Sequence, residues 1–172
     1  MVRRWLWGFF AGVGVYLALY CFFPVLTMFS DLIPDLIAER LLPEAFKTPG
    51  LIPILVDELQ ATLAKVWAHI LLTSWMFSVL WMVLVLVKRP AGPGRASAAL
   101  PAWLVFFALS VLVAAGVVGI ELWYEDAITD VAKNSLIAAG ALVSGMSYYI
   151  ATILMTPASA KPGIPLGYLV RL

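Results

Sequence analysis

Four uncharged apolar runs, each long enough to cross a bilayer, constrain this chain more than any other feature of its sequence. A helix rises about 1.5 Å per residue, so the hydrocarbon layer takes about 20 apolar residues. The runs are Trp5 to Ser30, Val66 to Val87, Ala96 to Ile120 and Asn134 to Ala160. His69, inside the second, counts as uncharged when neutral. Pro101 suits the first turn of the third helix, and Pro157 marks the end of the fourth. These signals place the spans near 5–28, 64–87, 101–123 and 134–156. The expected fold is all-α: a polytopic membrane protein, with residues 1–172 forming one four-span transmembrane helix bundle.

Composition points the same way. Of 172 residues, 63% are hydrophobic and 12% charged. A soluble domain is about half apolar and about a quarter charged, and a body this small has too little interior to hide the excess. A soluble enzyme is therefore disfavoured. The formal net charge of +1 supplies no field for DNA or RNA, so no nucleic-acid partner is expected. A single cysteine, Cys21, excludes an internal disulfide, a redox cysteine pair and a Cys-rich metal site.

Arg3 and Arg4 precede the first apolar run, as in a secretory signal, but the run is too long and no small-x-small cleavage site follows before Pro24. It reads as an uncleaved signal-anchor helix. Charge sorting sets the orientation. Arg3, Arg4, Lys88, Arg89, Arg95, Lys161 and Arg171 lie on the side of the N-terminus with no acidic residue among them, while the other side carries all ten acidic residues and four basic ones. The positive-inside rule then predicts a multi-pass protein of the cell membrane with both termini and the 88–100 loop cytoplasmic.

Residues 31–61, between the first two spans, interleave acidic and apolar residues and are divided by Pro34, Pro43, Pro49 and Pro53. Leu32, Ile33, Leu36, Ile37 and Leu41 form one stripe at helical spacing, with Asp35, Glu39 and Arg40 off it, which predicts short amphipathic helices in the outer interface. Pro49 to Val56 is almost wholly apolar and far too short to span. It is read as a re-entrant turn or a second short helix packed on the bundle. The 88–100 loop is a turn-rich linker whose positive charges suit anionic headgroups, and the tail 157–172 is expected to be irregular.

Small residues recur at close-packing intervals: Gly8 and Gly12, Ala115 and Gly119, then Gly140, Ser144, Ser147 and Ala151. Such faces let helix backbones approach, either within the bundle or against another subunit. Trp5, Trp7, Tyr20, Trp67, Trp103, Trp123, Tyr124, Tyr148 and Tyr149 fall near the span borders, as in an aromatic belt, while Trp75 and Trp81 fall deeper.

The mid-membrane sequence holds no Asp, Glu, Lys or Arg, which disfavours a self-contained pump or ion-coupled carrier. His69 is the sole histidine, so neither a bis-histidine haem nor a His-rich metal centre is possible within one chain. No nucleophile elbow or triad context is present, so no catalytic residue, cofactor or metal is assigned. The candidate polar or cation site is an outer-face cluster of Glu121, Glu125, His69, Asp57 and Glu58, with Lys65 or Lys133 as a partner for Glu121. The expectation is a non-catalytic subunit, accessory or scaffold protein of a larger membrane complex. Its partners would be a larger integral membrane protein and membrane lipids. The alternatives are a transporter or channel component and, third, an integral membrane enzyme acting on lipid or quinone. In size and span count the chain is similar to the small membrane subunit of tripartite substrate-binding-protein-dependent transporters.

Overall fold

The computed structural model describes residues 2–29, 32–48, 50–88, 98–156, 161 and 164–165. Most of the 88–100 loop and of the 157–172 tail, the residues Asp31 and Pro49, and the side chains of Arg3, Arg4 and Trp5 lie outside that description. In chain order come α1 (Val2–Phe29), α2 (Leu32–Leu36) leading into a π-helical turn (Ile37–Leu41), a 3-10 turn (Glu44–Phe46), α3 (Ile52–Lys88), α4 (Leu100–Trp123) and α5 (Asp130–Met155). The four long helices are each apolar and long enough to cross a membrane, which makes this a multi-pass membrane protein.

The four long helices run antiparallel in sequence order. Gly8 near the start of α1 abuts Leu154 near the end of α5, and Lys65 early in α3 reaches Glu121 late in α4. Trp103 at the start of α4 bonds Thr152 late in α5. The start of α1 and the end of α5 therefore share one end of the bundle, here the terminal end. The cap that includes α2, the start of α3 and the α4–α5 turn share the other, the acidic end. Helices α3, α4 and α5 pack mutually, and α1 lies against α3 and α5.

The second span is longer than its apolar stretch implies. The helix begins at Ile52 and runs 37 residues without interruption. Residues 52–56 thus form the first turn of α3, continuous with the span, and are not a separate short helix. Pro53 sits in that first turn, where a missing backbone N–H costs nothing. No glycine or proline follows before Lys88, and Asp57 and Glu58 point outward from an already formed helix. Helix α5 likewise starts a turn earlier than its apolar run. The Thr129 hydroxyl accepts from the Ala132 N–H, capping the N-terminus, and Asp130 opens the first turn. Helix α1 continues through Pro24 without ending.

The amphipathic segment closes the acidic end of the bundle. Ile37, Leu41 and Leu42 are buried, while Asp35, Glu39 and Arg40 face out. The π turn, closed by the Leu42 N–H to the Ile37 carbonyl at 3.1 Å, brings both Leu41 and Leu42 inward and leaves Leu36 exposed. These side chains join Val56, Leu59 and Leu63 of α3 and Leu122 and Ile128 in one apolar cluster. The extra turns of α3 are thus held by protein contacts. A second cluster at the terminal end gathers Phe77, Trp81, Val85, Trp103, Tyr148 and Ile153. Trp103 and Tyr148, expected in the border belt, are core residues at 2% and 0% exposure, because α4 and α5 turn these rings toward each other. In the tail, Lys161 is buried, and loss of water holds its ammonium below the ordinary lysine range.

Two glycines set the seat of α1. A Cβ on Gly8 would stand 2.5 Å from the Leu154 carbonyl oxygen, and one on Gly12 would stand 2.5 Å from Met155 Cγ. No larger residue fits at Gly8 unless the two backbones separate.

Candidate functional site

The bundle's mid-height carries a chain of buried hydroxyls that links all four spans. Tyr16 of α1 lies 2.8 Å from Ser74 Oγ and 2.9 Å from Ser78 Oγ, both on α3. Ser74 Oγ donates to the Ser144 carbonyl of α5 at 3.1 Å, and Ser78 Oγ donates to the Ser74 carbonyl one turn back at 3.0 Å. Ser144 Oγ and Ser110 Oγ of α4 are 2.8 Å apart, and Ser144 Oγ also donates to the Ser110 carbonyl at 3.1 Å. All four serines are 0% exposed.

Proton accounting distinguishes the two halves of this belt. Ser110 and Ser144 have two hydroxyl protons for two bonds. Tyr16, Ser74 and Ser78 have three protons for four close contacts, so one of the serine-to-carbonyl bonds gives way whenever both phenol contacts are hydrogen-bonded. Every oxygen is nonetheless within reach of a partner, which is what hydrocarbon surroundings demand. The serines occupy positions where a larger side chain would hold the helices apart, so small size and polarity serve one contact.

Toward the terminal end, two indoles extend the polar seam. Trp81 Nε1 donates to Thr156 Oγ1 at 2.9 Å, and Trp103 Nε1 donates to Thr152 Oγ1 at 3.1 Å. Trp103 stacks on Phe107 with centroids 5.3 Å apart and packs against Tyr148 at 5.4 Å. Toward the acidic end, Trp67 Nε1 donates to the Leu19 carbonyl at 2.9 Å, with the Phe22 and Phe23 rings beside it.

The acidic end holds the charged cluster. Lys65 Nζ donates to Glu121 Oε2 at 2.6 Å. His69 Nδ1, shielded from water, faces Glu121 Oε1 at 3.3 Å without the alignment of a hydrogen bond. Glu121 is 21% exposed and ties α3 to α4, whereas Lys65 is 60% exposed and keeps much of its hydration. Glu125 accepts from Thr62 Oγ1 at 3.0 Å. Asp57 and Glu58 stand exposed on the early turns of α3 and form no ion pair among the described residues. The structure therefore joins His69 to Glu121, gives Glu125 a separate partner and leaves Asp57 and Glu58 outside. Lys65, not Lys133, meets Glu121. Among the described residues, no three His, Cys, Asp or Glu side chains converge as a metal site.

The small-residue faces divide. Gly8 and Gly12 press on α5, and a Cβ on Gly140 would stand 2.9 Å from Val118 Cγ2 and 3.0 Å from Ile70 Cδ1. Ser144, Ser147 and Ala151 are buried within the chain's own bundle. Gly119 is not pressed: a Cβ there would meet only Ile137 Cδ1, at 3.7 Å, and neighbouring Ala115 is half-buried. Sequence reasoning singles out Ser144 for its small size alone. The hydroxyl belt was missed. Its one available signal was a polar residue inside each apolar run: Tyr16, Ser74 and Ser78, Ser110, Ser144.

The fold and its polar seam define an all-helical, four-span membrane protein whose helices are fastened to one another at mid-height. No protein-family model matches the chain, and no curated protein or solved structure matches it.

Proposed function

We propose that the chain is a non-catalytic membrane subunit of a larger membrane complex, set in the cell membrane with both termini cytoplasmic. The observation that carries this reading is the hydroxyl belt. The buried polar groups at mid-height join helix to helix, and the buried residues described at that level include no carboxylate, amine or imidazole. Such an interior supplies rigidity more readily than proton handling or ion coordination. Helix α1 adds a second support. It is seated by Gly8, Gly12 and Tyr16 on one side and exposes Trp7, Phe10, Leu17, Tyr20 and Phe22 elsewhere, leaving a broad aromatic surface for lipid or a neighbouring subunit. The orientation rests on the charge asymmetry alone.

Mild-detergent purification of the tagged full chain, followed by mass spectrometry, tests the subunit reading. The expected result is one larger integral membrane protein recovered at fixed stoichiometry, and recovered again when the two are co-expressed. A homo-oligomer that passes ions in liposomes would replace the reading with a channel. A monomer with neither partner nor flux would overturn it as well.

A further inference from the structure

Helices α4 and α5 pack closely from mid-height to the Val118–Gly140 contact, and a groove opens beside that contact toward the acidic end. At the Ser110–Ser144 level they are in direct contact, and a Cβ on Gly145 would stand 3.2 Å from Val111 Cγ2. Further along, a Cβ on Gly116 would have nothing within 4 Å, and one on Gly119 would meet only a methyl at 3.7 Å. These glycines deepen an open groove of about 870 Å³ between the two helices. Its floor is apolar, and its mouth carries Asp130, Lys133 and Asn134 from the first turns of α5, with Trp123 at the rim. Trp123 is 76% exposed, so the groove opens on the perimeter of the bundle.

We propose that this groove binds one phospholipid with a primary-amine headgroup, of the phosphatidylethanolamine type. An apolar floor below a charged mouth matches an amphiphile, and the ends of the spans put that mouth at headgroup depth. Charge complementarity selects the head. The Lys133 ammonium and the Asn134 amide are donors for a phosphodiester, and the Asp130 carboxylate is an acceptor for an ammonium. Lys133 forms no ion pair among the described residues, whereas Lys65, the lysine across the same end, is taken by Glu121. One cation and one anion at the mouth suit a zwitterion. An anionic lipid would set its net charge against Asp130. A choline head has no N–H for the carboxylate, whereas an ethanolamine head does.

The test uses the full chain in nanodiscs of equal parts phosphatidylethanolamine, phosphatidylcholine and phosphatidylglycerol, followed by detergent release and native mass spectrometry. The intact chain should keep phosphatidylethanolamine roughly tenfold over the other two. Gly116→Leu fills open space, so it should lose the bound lipid while helicity and melting temperature hold. Lys133→Gln should weaken retention of all three lipids, and Asp130→Asn should remove the preference for the amine head. Circular dichroism on each variant separates lost binding from lost folding. Should Gly116→Leu unfold the chain, Gly119→Leu, which meets only the flexible end of Ile137, takes its place. Equal retention of the three lipids would overturn the proposal. So would lipid retention unchanged by a folded groove-filling variant.

Discussion

Ser110 and Ser144 hold each other twice: their hydroxyls are 2.8 Å apart, and Ser144 Oγ also reaches the Ser110 carbonyl at 3.1 Å. The Ser144 carbonyl accepts from Ser74 as well, so this residue joins three of the four spans.

Ser144→Ala keeps the close packing and removes the hydroxyl, and should cost about 1 kcal/mol, in line with single hydrogen bonds between membrane helices. Ser144→Leu also drives the helices apart, and overpacking adds about 1–3 kcal/mol. Thermal unfolding in detergent should rank the native chain above the alanine variant and that above the leucine variant, with lower yield for leucine. Equal melting temperatures for all three would contradict the belt's structural role.

Glu121→Gln should lower stability more than Glu125→Gln. Glu121 loses its charge against Lys65 and against any charge on His69, whereas glutamine at 125 keeps an amide oxygen for Thr62. The Lys65 pair is largely exposed, so the expected loss is about 0.2–1 kcal/mol. A paired comparison of melting temperatures decides it, and raised salt should shrink the difference.

Gly8→Ala should cost more than Gly12→Ala. The first places a methyl against the backbone carbonyl of Leu154, which cannot retreat alone, and the second against the flexible Met155 side chain. About 1–3 kcal/mol is expected at Gly8 and less at Gly12. Disulfide trapping between cysteines introduced into α1 and α5 should report loosening of α1 in the Gly8 variant, ahead of any loss of helicity.

The charge asymmetry predicts topology. Reporter fusions at Leu172 and within residues 88–100 should read as cytoplasmic, and a fusion at Thr48 as external. The reverse pattern would invert the assigned faces without altering the bundle.

The spans were legible because lipid leaves little choice: a stretch such as 101–123 must form a helix to satisfy its backbone. Helix starts were less legible. Asp57 and Glu58 look like the edge of the second span, yet helix formation needs only an unbroken backbone pattern, and that pattern begins at Ile52. The hydroxyl belt was not legible as a belt. Ser74, Ser110 and Ser144 sit on three helices, and their meeting depends on rotations and depths that a one-dimensional pattern does not encode. Trp103 shows the same limit, since its position near a span border does not reveal which way its ring turns. The Lys65–Glu121 contact was easier to anticipate, because both residues lie at span ends on one face of the membrane.

The uninterrupted course of α3 makes it a lever. Its 37 residues correspond to about 55 Å of stiff rod, against about 30 Å of hydrocarbon. With no glycine or proline from Ile54 to Lys88, it has no natural hinge. A tilt of about 5° at one end displaces the other by about 5 Å. A tilt of α3 at the cap is therefore a displacement of Lys88 at its far end, and the mid-height bonds of Ser74 and Ser78 to α1 and α5 are what oppose it.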